Sequence, residues 1–160
     1  MHLAGEQFRI QSGIDLLHIP YKGGPPALND VLGGQVPMMF NNLPAIVQMV
    51  RSGKLRALAV ATPQRSKLLP DVPTMEEAGL KGYVSTVWNG IFVRAGTPAP
   101  MVERLNRDIV AVLSSSEMRQ SLDEQGFDAI PSTPVEFGAL IRTEYPRWGE
   151  VVKQSGAKLD

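Results

Sequence analysis

Between residues 16 and 60, three short apolar runs alternate with two stretches of helical character. Runs 16–19, 36–40 and 55–60 are apolar or small throughout except for His18 and Arg56. Such runs predict strands covered on both faces of a sheet. The stretches between them open on prolines and close on glycines. Pro25 and Pro26 suit a first helical turn, where a missing N–H costs little, and Gly33 with Gly34 stops that helix near Leu32. Asn41 or Asn42 can cap a second helix over 44–52, which Gly53 ends. Strand, helix, strand, helix, strand in this order predicts a right-handed βαβαβ unit with a parallel sheet.

The flanks extend this reading. Residues 2–12 have the pattern of a helix, with Leu3, Ala4, Phe8 and Ile10 inward and Gly13 as its stop. After an irregular stretch over 62–73, Thr74 and Glu77 form a capping box for a short helix ending near Gly79. Residues 83–93 read as a long strand crossing to a second lobe. Thr97 and Pro98 open a helix through about Leu113, with Val102, Leu105, Ile109 and Val112 at helical spacing. Ser116 is expected to cap a helix that Gly126 stops, and Ala129–Ile130 to form a short strand. Thr133 with Glu136 is a second capping box, opening a long helix toward Gln154 that Pro146 kinks or breaks.

Composition narrows the function. Lys plus Arg and Asp plus Glu both number 16, so the net charge is zero and a general nucleic-acid footprint is not expected. With no cysteine there is neither a disulfide framework nor a thiolate metal site. His2 and His18 are far apart in sequence with no metal-binding spacing, so no metal or other cofactor is expected. No run is long enough to cross a membrane. The amino end lacks the basic region and apolar stretch of a secretory signal, and its abrupt start suggests a missing upstream portion.

Candidate chemistry lies in the turns that follow the first two runs, because ligands collect at the carboxyl ends of strands in open α/β sheets. Tyr21-Lys22-Gly23-Gly24 is either an anion cradle or a plain strand-to-helix turn. As a cradle, its glycine N–H groups would hold a carboxylate, Lys22 would add charge and Tyr21 a hydroxyl donor. Asn41 is a ligand candidate, whereas Asn42 is assigned to capping. Trp88 either walls a ligand or packs a hinge. His2 either faces a cleft or is disordered, and His18 is expected to be a packed, hydrogen-bonded imidazole. No nucleophile–base pair or GxSxG elbow is evident, so no catalytic residue is assigned.

At these residues the chain resembles a known family. HIPYKGGPPALNDVLGGQVPMMFNNLPAIV, GKLRALAVATPQRS, LPDVPTMEEAGLKGY, VWNGIFVRAGTPAPMVERLN and the terminal IRTEYPRWGEVVKQSGAKLD are together similar to the Bug family, the extracytoplasmic solute receptors of tripartite tricarboxylate transporters. The resemblance implies a type II periplasmic-binding-protein fold, with two α/β lobes hinged around a cleft. It implies capture of a small organic carboxylate or related amide and presentation to a membrane permease in the full-length protein, with no catalysis.

It also implies that this chain is the carboxy-terminal half of a receptor. Residues 1–83 would be most of lobe two, and 84–160 the crossover strand and returning helices of lobe one. The full-length family is periplasmic, although this chain has no signal peptide. The ligand-binding residues would be Tyr21, Lys22, Gly23, Gly24, Asn41, Trp88 and His2. An incomplete fold would expose apolar surface, so weak binding and self-association through that face are expected. Two departures stand out: Asn41 replaces a common Asp, and Pro37 is unusual inside a parallel strand. The alternative is a ligand-sensing effector domain of a transcription regulator with the same fold.

Overall fold

A computed structural model describes residues 1–156. Its described residues form six helices: α1 (His2–Ser12), α2 (Gly24–Leu32), α3 (Leu43–Arg51), α4 (Ala99–Ser114), α5 (Ser116–Gln125) and α6 (Pro134–Ser155). They divide into two compact units, one of Met1–Val87 with the described residues from Trp148 on, the other Trp88–Arg147. Each helix lies where the apolar spacing places it, and the stops act through backbone geometry. Gly13 ends α1 at φ 69°, and Gly126 ends α5 at φ 81°, a region that suits glycine.

In the first unit the buried apolar residues are Val47, Leu69 and Tyr83. Tyr83 is 1% exposed. Its hydroxyl donates to the Ala4 carbonyl at 2.8 Å, and its ring meets Phe8 edge-on at 6.3 Å. Phe8 in turn tilts against Phe40 at 5.7 Å, and a methyl group placed on Gly5 would touch the Phe40 ring at 3.5 Å. Helix α1 is therefore seated on Tyr83 from one segment and Phe40 from another, which fixes its start beside the turns of interest. Buried Glu6 pairs with Arg9 at 3.0 Å.

Several expectations need correction. The expected strands 16–19, 36–40, 55–60 and 83–93 do not form a parallel sheet among the described residues. Among the described residues, ladder-like pairing is limited to an isolated parallel bridge between Val60 and Thr74, and a Ser85 N–H donates to the Ala61 carbonyl at 2.9 Å. A strand exists only when another backbone accepts and donates along its edge, and these runs have no such partner among the described residues. Ala129 and Ile130 likewise form no strand.

The Thr74–Glu77 box closes in both directions, at 2.8 and 3.1 Å, but yields a single turn, because Gly79 at φ 105° turns the chain away. Ser115, not Ser116, caps α5. It is the residue with extended φ and ψ, and its hydroxyl accepts from the Met118 N–H. Asn42 occupies the cap position of α3 without a side-chain cap bond. His18 is exposed, not packed in a core. Pro146 lies within α6, which continues past it.

The second unit holds α4 and α5 packed on one another and an aromatic cluster. Phe137 of α6 meets Trp88 edge-on at 5.3 Å and tilts against Phe92 at the same distance. Its ring lies so near the Gly90 backbone that a methyl group there would come within 2.1 Å of Cζ. The box opening α6 closes as expected, with the Thr133 N–H donating to Glu136 at 2.8 Å and the Glu136 N–H to Thr133 Oγ1 at 3.2 Å.

Candidate ligand site

The turn over 21–24 takes its shape from Gly23, whose φ of 108° is closed to ordinary side chains. Gly24 begins α2, so the prolines occupy its second and third positions. A helix start leaves about four N–H groups without helical partners. Here Pro25 and Pro26 have none to offer, and the adjacent N–H groups of Gly23 and Gly24 donate to no backbone acceptor among the described residues. The Tyr21 hydroxyl donates to Asp30 Oδ2 at 2.6 Å, tying the turn to the far end of α2. That hydrogen bond, then burial, then the charge of Asp30, holds the phenol above its ordinary pKa. Because its proton is committed to Asp30, the hydroxyl offers a ligand only its oxygen.

Asn41 stands against this helix start. A methyl group placed on Gly24 would lie 3.6 Å from Asn41 Oδ1 and 3.9 Å from Nδ2. Oδ1 accepts the Asn42 N–H at 2.8 Å, which fixes the amide plane. Nδ2 has only a 3.9 Å approach to the Met39 sulfur, a weak acceptor. Gly24 of the turn and Asn41 thus lie side by side in the first unit, although Asn41 is not among the residues lining the cavity beside the turn.

A cavity of about 320 Å³ opens beside them, and His2, Tyr21, Gly23 and Gly24 line it. The His2 ring stacks on His18 with centroids 3.8 Å apart and planes 6° from parallel, and His2 Nε2 lies 3.7 Å from Glu6 Oε1. The rest of the wall is mainly apolar, including Leu16, Val31, Met38 and Phe40. Lys22 is exposed and outside this wall. Trp88 belongs to the second unit, in the Phe137 cluster. Sequence reasoning missed Glu6, Asp30 and His18 as neighbours of the turn. The four-residue spacing from His2 to Glu6 was the available signal for the first. Among the described residues no group of three His, Cys, Asp or Glu is placed to hold a metal ion.

Comparison with known proteins decides the family. The family model described as tripartite tricarboxylate transporter family receptor matches residues 1–157. The chain belongs to that receptor family. It is 39% identical over 158 residues to Protein BugT of Bordetella pertussis, covering 99% of this chain and 48% of BugT. Among solved structures, R. palustris Rpa4515 with adipate is 34% identical with a TM-score of 0.84, covering 97% of this chain and 52% of that one. The periplasmic binding protein BugD is 35% identical with a TM-score of 0.80, covering 98% and 53%.

The chain therefore has a periplasmic-binding-protein fold in part, and spans about half the length of these relatives. Its relatives are periplasmic solute receptors, not enzymes. No helix among the described residues is long and apolar enough to cross a membrane.

Proposed function

We propose that this chain is the solute-gripping part of a periplasmic receptor that captures a small organic carboxylate for a tripartite tricarboxylate-type permease, with residues 1–83 as most of one lobe and 84–160 returning to the other. The observation that carries the reading is the meeting of Asn41 with the start of α2 at Gly24. Two adjacent unpaired N–H groups beside a helix N-terminus suit an anion with two equivalent oxygens, and the Asn41 amide adds a donor from a second segment. Adipate in Rpa4515, a relative of high structural similarity, is a ligand of this chemistry. His2 and the Tyr21 oxygen flank the grip, Lys22 supplies long-range attraction from outside the wall, and Trp88 serves in the other lobe.

The test is titration of the chain with adipate, malate and neutral amides, followed by amide NMR and calorimetry. Because donors come from one cluster only, carboxylates should bind with a dissociation constant on the order of 1 mM or weaker. The Gly23 and Gly24 resonances should shift most, and Asn41→Leu, which removes the side-chain amide donor, should weaken the binding. Unmoved Gly23 and Gly24 amides at roughly fifty-fold that concentration would refute the site. Low-micromolar binding would refute the weakness.

A further inference from the structure

Two imidazoles stand face to face beside the candidate grip. The His2 and His18 rings lie 3.8 Å apart between centroids and 6° from parallel, and both line the cavity with Gly23 and Gly24. Met1, next to His2, reaches the grip itself, since its Cε lies 3.7 Å from a methyl group placed on Gly24. Glu6, one helical turn further along α1, is buried and has its two oxygens divided. Oε2 takes Arg9 at 3.0 Å, and Oε1 lies 3.7 Å from His2 Nε2. His2 is thus fixed on one face by a ring from another segment and at one nitrogen by a carboxylate.

This arrangement gives the second nitrogen a role. A neutral imidazole has one donor and one acceptor. With Nε2 turned to Glu6 the N–H belongs there, and Nδ1 is left as an acceptor, which a carboxylate avoids. Protonation makes Nδ1 a donor as well, and it takes the net charge of Arg9, Glu6 and His2 from zero to +1. A stacked pair holds one such proton readily, because a cation is attracted to a neutral aromatic face. Two imidazolium rings at 3.8 Å would repel. The other titratable groups on this wall are the Met1 amino group and Tyr21, whose proton is committed to Asp30. Lys22 is exposed outside it.

We infer that capture of a carboxylate at the Gly23–Gly24 turn takes up one proton, carried by His2 and kept in position by the His18 ring and Glu6. The proton link rests on the proposed grip and sets its condition: the site holds its solute better in weak acid. Coupling of this kind is reciprocal, so the proton strengthens the grip and the bound carboxylate retains the proton. His18 acts through His2 and is a positioning residue, whose ring stops the His2 imidazole from turning Nδ1 away.

The test is titration of the chain with malate at about pH 8 and about pH 6, either side of the ordinary imidazole range, read at the Gly23 and Gly24 amides. A charge brought within several ångströms of the anion should tighten malate by roughly 3- to 10-fold at the lower pH, while a neutral amide binds alike at both. Malate added at matched pH to a lightly buffered sample should raise the pH, the sign of proton uptake. His2→Gln should bring the affinity ratio to about 1. His18→Leu should remove most of the pH dependence, and His18→Phe, which restores a flat ring against His2, should recover it.

Four results would overturn the proton link. The ratio could be about 1 in the unaltered chain although both glycine amides shift. It could persist in His2→Gln, which would assign the proton to the Met1 amino group. It could be the same in His18→Leu as in the unaltered chain. Or His18→Phe could fail to recover what His18→Leu loses. Malate that moves neither glycine amide refutes the grip and the proton link together, whereas a pH-independent malate shift refutes the link alone.

Discussion

Replacing Gly90 with alanine should loosen the second unit, and the structure sets the size of the effect. The new methyl would lie 2.1 Å from Phe137 Cζ and 2.8 and 2.9 Å from the two Cε atoms. Ordinary contact begins near 3.4 Å, so the ring must withdraw by roughly 1.3 Å, more than packed neighbours usually yield. Overpacking on this scale costs about 1–3 kcal/mol. The withdrawal also disturbs the Trp88 and Phe92 contacts, both with centroids at 5.3 Å, each worth about 0.5–1.5 kcal/mol. Against this stands the reduced freedom of the unfolded chain, about 0.4–1 kcal/mol in favour of alanine where the backbone conformation allows it. Gly90 has no left-handed φ to forbid it.

The net expectation for Gly90→Ala is a loss of about 1–2 kcal/mol, read by urea denaturation with near-ultraviolet circular dichroism. Phe137→Leu removes the clashing ring end, so Gly90→Ala made in that background should be nearly neutral. The double-mutant cycle should then show a coupling of about 1–2 kcal/mol. Equal losses in both backgrounds, within about 0.5 kcal/mol, or a stabilised single variant, would refute the contact as the reason glycine is needed.

Two further outcomes follow from the packing and the caps. Tyr83→Phe should cost about 1 kcal/mol in the same denaturation assay, the usual net worth of a buried hydrogen bond, because it deletes the bond to Ala4. Glu77 is held below the ordinary glutamate pKa chiefly by Arg65 and then by the Thr74 N–H, and Glu136 by the Thr133 N–H and then its hydroxyl. A depressed folded-state pKa contributes stability above the unfolded value, and that stability is lost as pH falls through the folded one. The midpoint difference between the wild type and Glu77→Gln, Glu136→Gln should therefore be largest near neutral pH and close as pH falls below the ordinary glutamate range, as thermal melts would show.

What the sequence disclosed, and what it hid, divides by range. The helices were legible because their signals are local: apolar spacing, the Thr133–Glu136 box, and the stops at Gly13 and Gly126. The nearness of Gly24 to Asn41 was expected from strand tips on one edge, yet it arises here without any strand pairing of the two runs. The strands themselves were not, because an apolar run says that a segment can pair but not what it pairs with. His18 was misread for the same reason. In an apolar run it looked buried, yet its neighbour is the ring of His2, sixteen residues earlier in sequence and visible only in three dimensions. The Ser115 cap was within local reach, and the choice between adjacent serines turned on backbone angles that the sequence does not display.

The division between the apolar cavity and its polar rim bears on what kind of receptor this is. A carboxylate placed deep among Leu16, Val31 and Met38 would lose its hydration with few donors in return, a penalty that burial of an unpaired charge makes prohibitive. At the rim, Gly23 and Gly24 present two N–H groups that cost no reorganisation, and the neighbouring prolines concentrate the grip there by having no N–H of their own. Asn41 places a neutral amide beside Gly24. On the proposed reading, a negative solute is therefore held where these backbone donors meet solvent.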